Sequence, residues 1–84
     1  MTAPRWRVHL TPANSAPVFY RPDAPNGLVA LEAAIEAFRH YGPAGGGPVV
    51  KARVENIVRR TCWLADVYPD IHDADREVLL AMEA

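Results

Sequence analysis

Pro48-Val49-Val50-Lys51-Ala52-Arg53-Val54 carries two periodicities at once, and the choice between them decides the fold. Read as a helix at about 100° per residue, it opens a stripe of Val50, Val54, Ile57, Thr61, Leu64, Ala65 and Tyr68, with Val58 at its margin and Glu55, Arg59 and Asp66 opposite. Pro48 suits the first turn of such a helix, where its missing N–H has no helical partner anyway. Read at period two, Val50, Ala52 and Val54 alternate with Lys51 and Arg53, as in a half-buried third strand. The helical stripe agrees over the longer distance, up to Pro69, and it selects a second long helix.

Just upstream, Gly42-Pro43-Ala44-Gly45-Gly46-Gly47-Pro48 admits no regular element, because glycine loses most backbone entropy on ordering and proline lacks an amide. It is expected to be a flexible Gly/Pro linker over 42–48. Before it, Leu28, Leu31, Ile35 and Phe38 recur at helical spacing opposite Glu32, Glu36, Arg39 and His40. Ala30, Ala33, Ala34 and Ala37 widen the apolar face, Asp23 or Asn26 offers an N-cap, and Gly42 suits the residue past the C-terminal end. Arg39 and His40 suit the negative end of the helix dipole.

Further upstream, Arg5-Trp6-Arg7-Val8-His9-Leu10 alternates strictly, with Trp6, Val8 and Leu10 on one side and Arg5, Arg7 and His9 on the other. The turn-forming residues of 11–16 then lead to Pro17-Val18-Phe19-Tyr20-Arg21, which completes a β-hairpin. Pro12, Pro17 and Pro22 fall at strand ends, as edge strands require. At the other end of the chain, Asp70 or Asp73 caps a last helix whose buried stripe is Ile71, Ala74, Val78 and Met82.

The expected fold is α+β and one domain over residues 1–84: an N-terminal two-stranded β-hairpin packed on two long helices, plus a short acidic C-terminal helix. The alternative order is β-β-α-β-α, with residues 48–54 as a third strand. An apolar fraction of 50% and a charged fraction of 23% fit a folded globular protein rather than a disordered one. With 84 residues the core is near the size at which a lone domain is only marginally stabilised, so a partner or a homodimer would help.

Cys62 is the single cysteine, which excludes an internal disulfide, and Met1-Thr2-Ala3-Pro4-Arg5 leads into no signal-peptide pattern. A cytoplasmic location with no membrane role is expected. The charge is polarised. Residues 1–60 hold eight basic side chains against four acidic, whereas residues 61–84 hold six acidic against Arg76 alone. Such a split either neutralises itself across the fold or makes two surfaces, each suited to a partner of opposite sign.

Catalytic and cofactor patterns fail on inspection. Gly42 and Gly47 have the spacing of a phosphate loop, but Pro48 and Val49 stand where Lys and Ser/Thr must grip phosphate and magnesium. A dinucleotide fingerprint fails because the segment follows a helix and Val50 replaces the third glycine. Asp70, His72, Asp73, Asp75 and Glu77 lack the glycine of a calcium loop, and Cys62, His9, His40 and His72 are scattered singly rather than paired as zinc ligands. Cys62 has no neighbour in sequence that would make it a thiolate nucleophile. No metal, no cofactor and no enzymatic activity are expected.

Two binding readings remain. In the first, Trp63 points away from the stripe of the second helix beside Asn56, Arg60 and Val67, with Arg59 near. An exposed tryptophan among arginines has the composition of a protein-binding hot spot. The expected function is then a non-enzymatic protein-binding protein: an inhibitor, an adaptor or an accessory subunit of the kind a mobile element would carry. In the second, Arg5, Arg7, Lys51 and Arg53, with Arg21, Arg59 and Arg60 adding charge and Trp6 and Tyr20 available for stacking, make a small nucleic-acid-binding regulator.

Overall fold

The computed structural model describes residues 5–84; Met1–Pro4, read above as free of a signal-peptide pattern, lie outside the described residues. The elements are β1 (Trp6–Pro12), β2 (Val18–Tyr20), α1 (Gly27–Tyr41), β3 (Val49–Asn56), β4 (Thr61–Asp66) and α2 (Asp73–Ala81). The four strands form one antiparallel sheet in the order β2-β1-β3-β4, so the two hairpins meet through β1 and β3 at its centre. This is a small α+β protein.

The N-terminal hairpin and α1 follow the sequence closely. Trp6, Val8 and Leu10 are wholly buried, as the alternation of β1 requires, and the Trp6 indole N–H donates to the Ala24 carbonyl at 2.8 Å. Asn26 caps α1, its Oδ1 accepting from the Val29 amide at 2.9 Å. Leu28, Leu31, Ala30, Ala34 and Phe38 are buried against the sheet, and Ile35 is partly so.

The second long helix is not formed. Period two wins over 49–56, where Ala52, Val54 and Asn56 are buried and Lys51 and Arg53 are exposed. The alternative third strand is therefore correct and extends to Asn56, while β4 has no counterpart among the expected elements. The run is rich in β-branched residues, which fit a pleated surface better than a helix. Residues 57–60 form the turn, and Arg60 at φ 57° breaks any right-handed helical path. Asn56 organises this turn from within the core. Its Oδ1 accepts from the Val58 and Arg59 amides at 3.1 and 3.0 Å, and its Nδ2 donates to the Glu83 carbonyl at 2.8 Å.

α2 exists as expected, but with a different face inward. Leu79 is its buried residue, while Ala74 and Val78 are exposed; Ile71 is buried just before the helix and Met82 half-buried after it. The N-cap is His72, with no side-chain cap hydrogen bond, and Asp70 instead accepts from the Ile71 amide at 2.8 Å. Arg76 ties α2 to α1 through Glu32 at 3.9 Å and also meets Asp70 at 3.5 Å. Residues 82–84 return beneath α1, where the Gly27 amide donates to the Met82 carbonyl and the Ala84 amide to the Pro25 carbonyl.

The 42–48 segment separates α1 from β3 and is hydrogen-bonded to the β1–β2 loop. The Asn14 amide donates to the Gly46 carbonyl at 2.8 Å and the Ala13 amide to the Pro48 carbonyl at 2.9 Å. Gly45 and Gly47 hold φ of 75° and 74°, a region that favours glycine. The molecule is only 17 Å along its thinnest axis, consistent with one sheet layer and one helical layer.

Candidate nucleic-acid interface

Strand alternation and register assign every sheet residue to a face. Val8 is paired with Tyr20 and Val54, and Val54 with Trp63, so these side chains share the face that packs on the helices. The odd-numbered residues of β1 and those of β3 from Lys51 to Glu55, with Phe19 of β2 and the even-numbered residues of β4, share the other, while Val49, past the register shift at Thr11/Pro12, turns to the core. Among the described residues no element covers that second face.

One row crosses all four strands. Phe19 pairs with His9, His9 with Arg53, and Arg53 with Leu64, a span of roughly 14 Å at the usual strand spacing. The rings of Phe19 and His9 are stacked, with centroids 4.2 Å apart and planes within 10°. Phe19 is 61% and Leu64 68% exposed. On one side of this row lies Arg7–Glu55–Cys62, and on the other Thr11–Lys51–Asp66. The Arg5 carbonyl accepts from the Ile57 amide at 2.7 Å, which prolongs the β1–β3 ladder to Arg5, itself exposed.

Glu55 stands between two of the cations. Its carboxylate lies 3.6 Å from Arg7 Nη1 and 3.6 Å from Arg53 Nη2. Arg53 Nε donates to Cys62 Sγ at 3.3 Å. That hydrogen bond, followed by Coulombic contact with Cys62 and Glu55, raises the Arg53 guanidinium pKa above its ordinary value. Arg5 and Lys51 make no ion pair among the described residues. With two acids on it, Glu55 and Asp66, the face carries a modest positive excess.

The residues expected from sequence part company here. Arg5, Arg7, Lys51 and Arg53, read as nucleic-acid contacts, all lie on the open face. Tyr20 and Trp6 point into the core instead, so they offer no stacking surface; Phe19 and His9 do. The expected hot spot does not assemble as an exposed patch. Trp63 is 7% exposed and Val67 5%, and Asn56 is wholly buried. Trp63 lies on the helix-covered side of the sheet, where its Nε1 donates to Asp75 Oδ1 at 3.1 Å. Arg59 and Arg60 remain exposed in the β3–β4 turn, where Arg59 Nε donates to the Ala84 carbonyl at 3.0 Å.

Among the described residues no three His, Cys, Asp or Glu side chains group as metal ligands. A cavity of about 170 Å³ between α1, the glycine segment and the β4–α2 loop is lined by Ile35, Phe38, Val49, Val67 and Ile71, and it is smaller than ordinary ligand pockets. No described helix is long and apolar enough to cross a membrane. No protein-family model, curated protein or solved structure matches this chain.

Proposed function

We propose that this chain is a small non-enzymatic nucleic-acid-binding protein that works through the open face of its sheet. The observation that carries the reading is the gathering of Arg7, Lys51 and Arg53 from two central strands, with Arg5 exposed just before β1, onto one uncovered surface beside the exposed ring of Phe19. Cations held at fixed strand spacing suit a chain of phosphates, and flat rings suit bases.

A second reading keeps a protein partner, as an inhibitor, adaptor or accessory subunit. It is favoured by the exposure of Leu64 on the same face, since an apolar side chain gives little to a polyanion. It no longer has Trp63 as its anchor.

The test is binding of a labelled single-stranded oligonucleotide at several salt concentrations. With four phosphate contacts, log affinity falls against log salt with a slope of about −3. An Arg7→Ala/Lys51→Ala variant loses affinity and part of that slope while staying folded. A salt-independent interaction, or a partner from the native host that is retained after nuclease treatment, moves the function to the protein-binding reading.

A further inference from the structure

We infer that Phe19, backed by His9, is a stacking platform for an unpaired base, so that the nucleic acid taken by this face is single-stranded rather than duplex. The inference rests on the nucleic-acid reading of the basic face and adds what the cations alone do not specify.

Three observations support it. Phe19 is the middle residue of the three-residue strand β2, and its ring stands exposed while Val18 and Tyr20 on either side turn inward. The His9 ring lies parallel to it at 4.2 Å, which fixes its orientation before any ligand arrives. A preorganised ring binds without the cost of ordering a free side chain. Finally, β2 is an edge strand, so no further strand stands beyond Phe19, and a base added there extends a stack that runs from Phe19 to His9 toward Arg53.

Duplex nucleic acid does not offer what this platform takes. Paired bases already have both π-faces covered by their neighbours, and only their edges show in the grooves. The sheet face itself, roughly 14 Å across its four strands, is broader than a major groove of about 12 Å, which admits a helix or a two-stranded ribbon. A single strand can lay its phosphates along Arg5, Arg7, Lys51 and Arg53 and turn one base onto Phe19. The same geometry serves DNA or RNA.

The experiment compares three labelled probes of equal length, about twelve nucleotides: a mixed-sequence single strand, its duplex, and an abasic strand with the same phosphates. The expected result is that the single strand binds about tenfold tighter than the abasic strand and tighter than the duplex. Phe19→Ala and Phe19→Leu abolish the advantage over the abasic strand without changing abasic affinity, and Phe19→Trp keeps it. Equal salt-sensitive binding of the single and abasic strands overturns the platform while leaving the basic face intact. Retention of the advantage by Phe19→Leu overturns stacking in favour of plain apolar contact, and no binding of any probe overturns both this inference and the function on which it rests.

Discussion

Trp63 and Asp75 are joined by an indole N–H to carboxylate hydrogen bond of 3.1 Å, which brings the first turn of α2 against the outer strand of the sheet. The bond explains two features together. It gives the buried indole the polar partner that such a group needs, and it sets the rotation of α2 that puts Leu79 inward and Val78 outward. Trp63→Ala is expected to cost about 3 to 5 kcal/mol, as for other large aromatic truncations in a core. Trp63→Phe, which keeps most of the ring and loses the donor, costs about 1 to 2 kcal/mol. Denaturant titration checks both. Trp63→Phe should bind oligonucleotide as the wild type does, because its side chain lies on the far side of the sheet; a tenfold loss in a folded Trp63→Phe protein would return Trp63 to the binding site.

The inward face of α2 is testable by two neighbours. Leu79 is wholly buried and Val78 is 51% exposed. Leu79→Ala should therefore lose about 2 to 5 kcal/mol, whereas Val78→Ala stays within about 0.5 kcal/mol of wild type. The reverse order in urea unfolding would restore the stripe of Ala74, Val78 and Met82 that the sequence periodicity suggests.

Much of this architecture is legible in the amino-acid sequence, and the failures have identifiable causes. Trp6, Val8 and Leu10 alternate without exception, and Leu28, Leu31 and Phe38 recur at helical spacing next to a good cap, so local pattern and tertiary packing agree there. Val50 and Val54, four residues apart, satisfy both periods. What decides between them is pairing with β1, a contact across more than forty residues of chain that no local window contains. The misplacement of Trp63 follows from that choice, since a strand places it opposite Val54 rather than beside Arg60. The basic candidates are visible singly, but their convergence depends on the β1–β3 register. The stack of Phe19 on His9 depends likewise on the hairpin register, although the position of His9 on the polar side of β1 is a usable signal.

The glycine segment yields a contrast between two residues with nearly equal backbone angles. Gly45 and Gly47 have φ of 75° and 74°, so alanine at either position carries a left-handed penalty of roughly 1 kcal/mol. At Gly45 an added Cβ meets nothing within 4 Å, but at Gly47 it comes 2.7 Å from Asn14 Nδ2. Gly47→Ala is expected to lower the melting temperature more than Gly45→Ala does. Equal shifts would mean that the exposed Asn14 side chain swings aside at little cost.

Glu55 supplies the sharpest test of the open face, because its removal should strengthen binding. Its carboxylate sits between Arg7 and Arg53, 3.6 Å from each, and competes with phosphate for both guanidinium groups. Glu55→Gln keeps the shape, removes one negative charge and releases two cations. The ion pairs lost are long and join a half-buried Glu55 to exposed guanidinium groups, so stability should change by about 1 kcal/mol or less. Affinity for a single-stranded oligonucleotide should rise about three- to tenfold at low salt, and the gain should shrink as ionic strength increases and the released charges are screened. The matching change on the helical side, Glu36→Gln, alters net charge equally but lies away from the sheet face, where Glu36 pairs with Arg39 and His40. It should leave affinity close to wild type. Were both variants to gain equally, long-range attraction by net charge would account for the binding; a folded Glu55→Gln protein with unchanged or weaker affinity would mean that phosphates do not meet Arg7 and Arg53, and that the ligand of this face is not a polyanion.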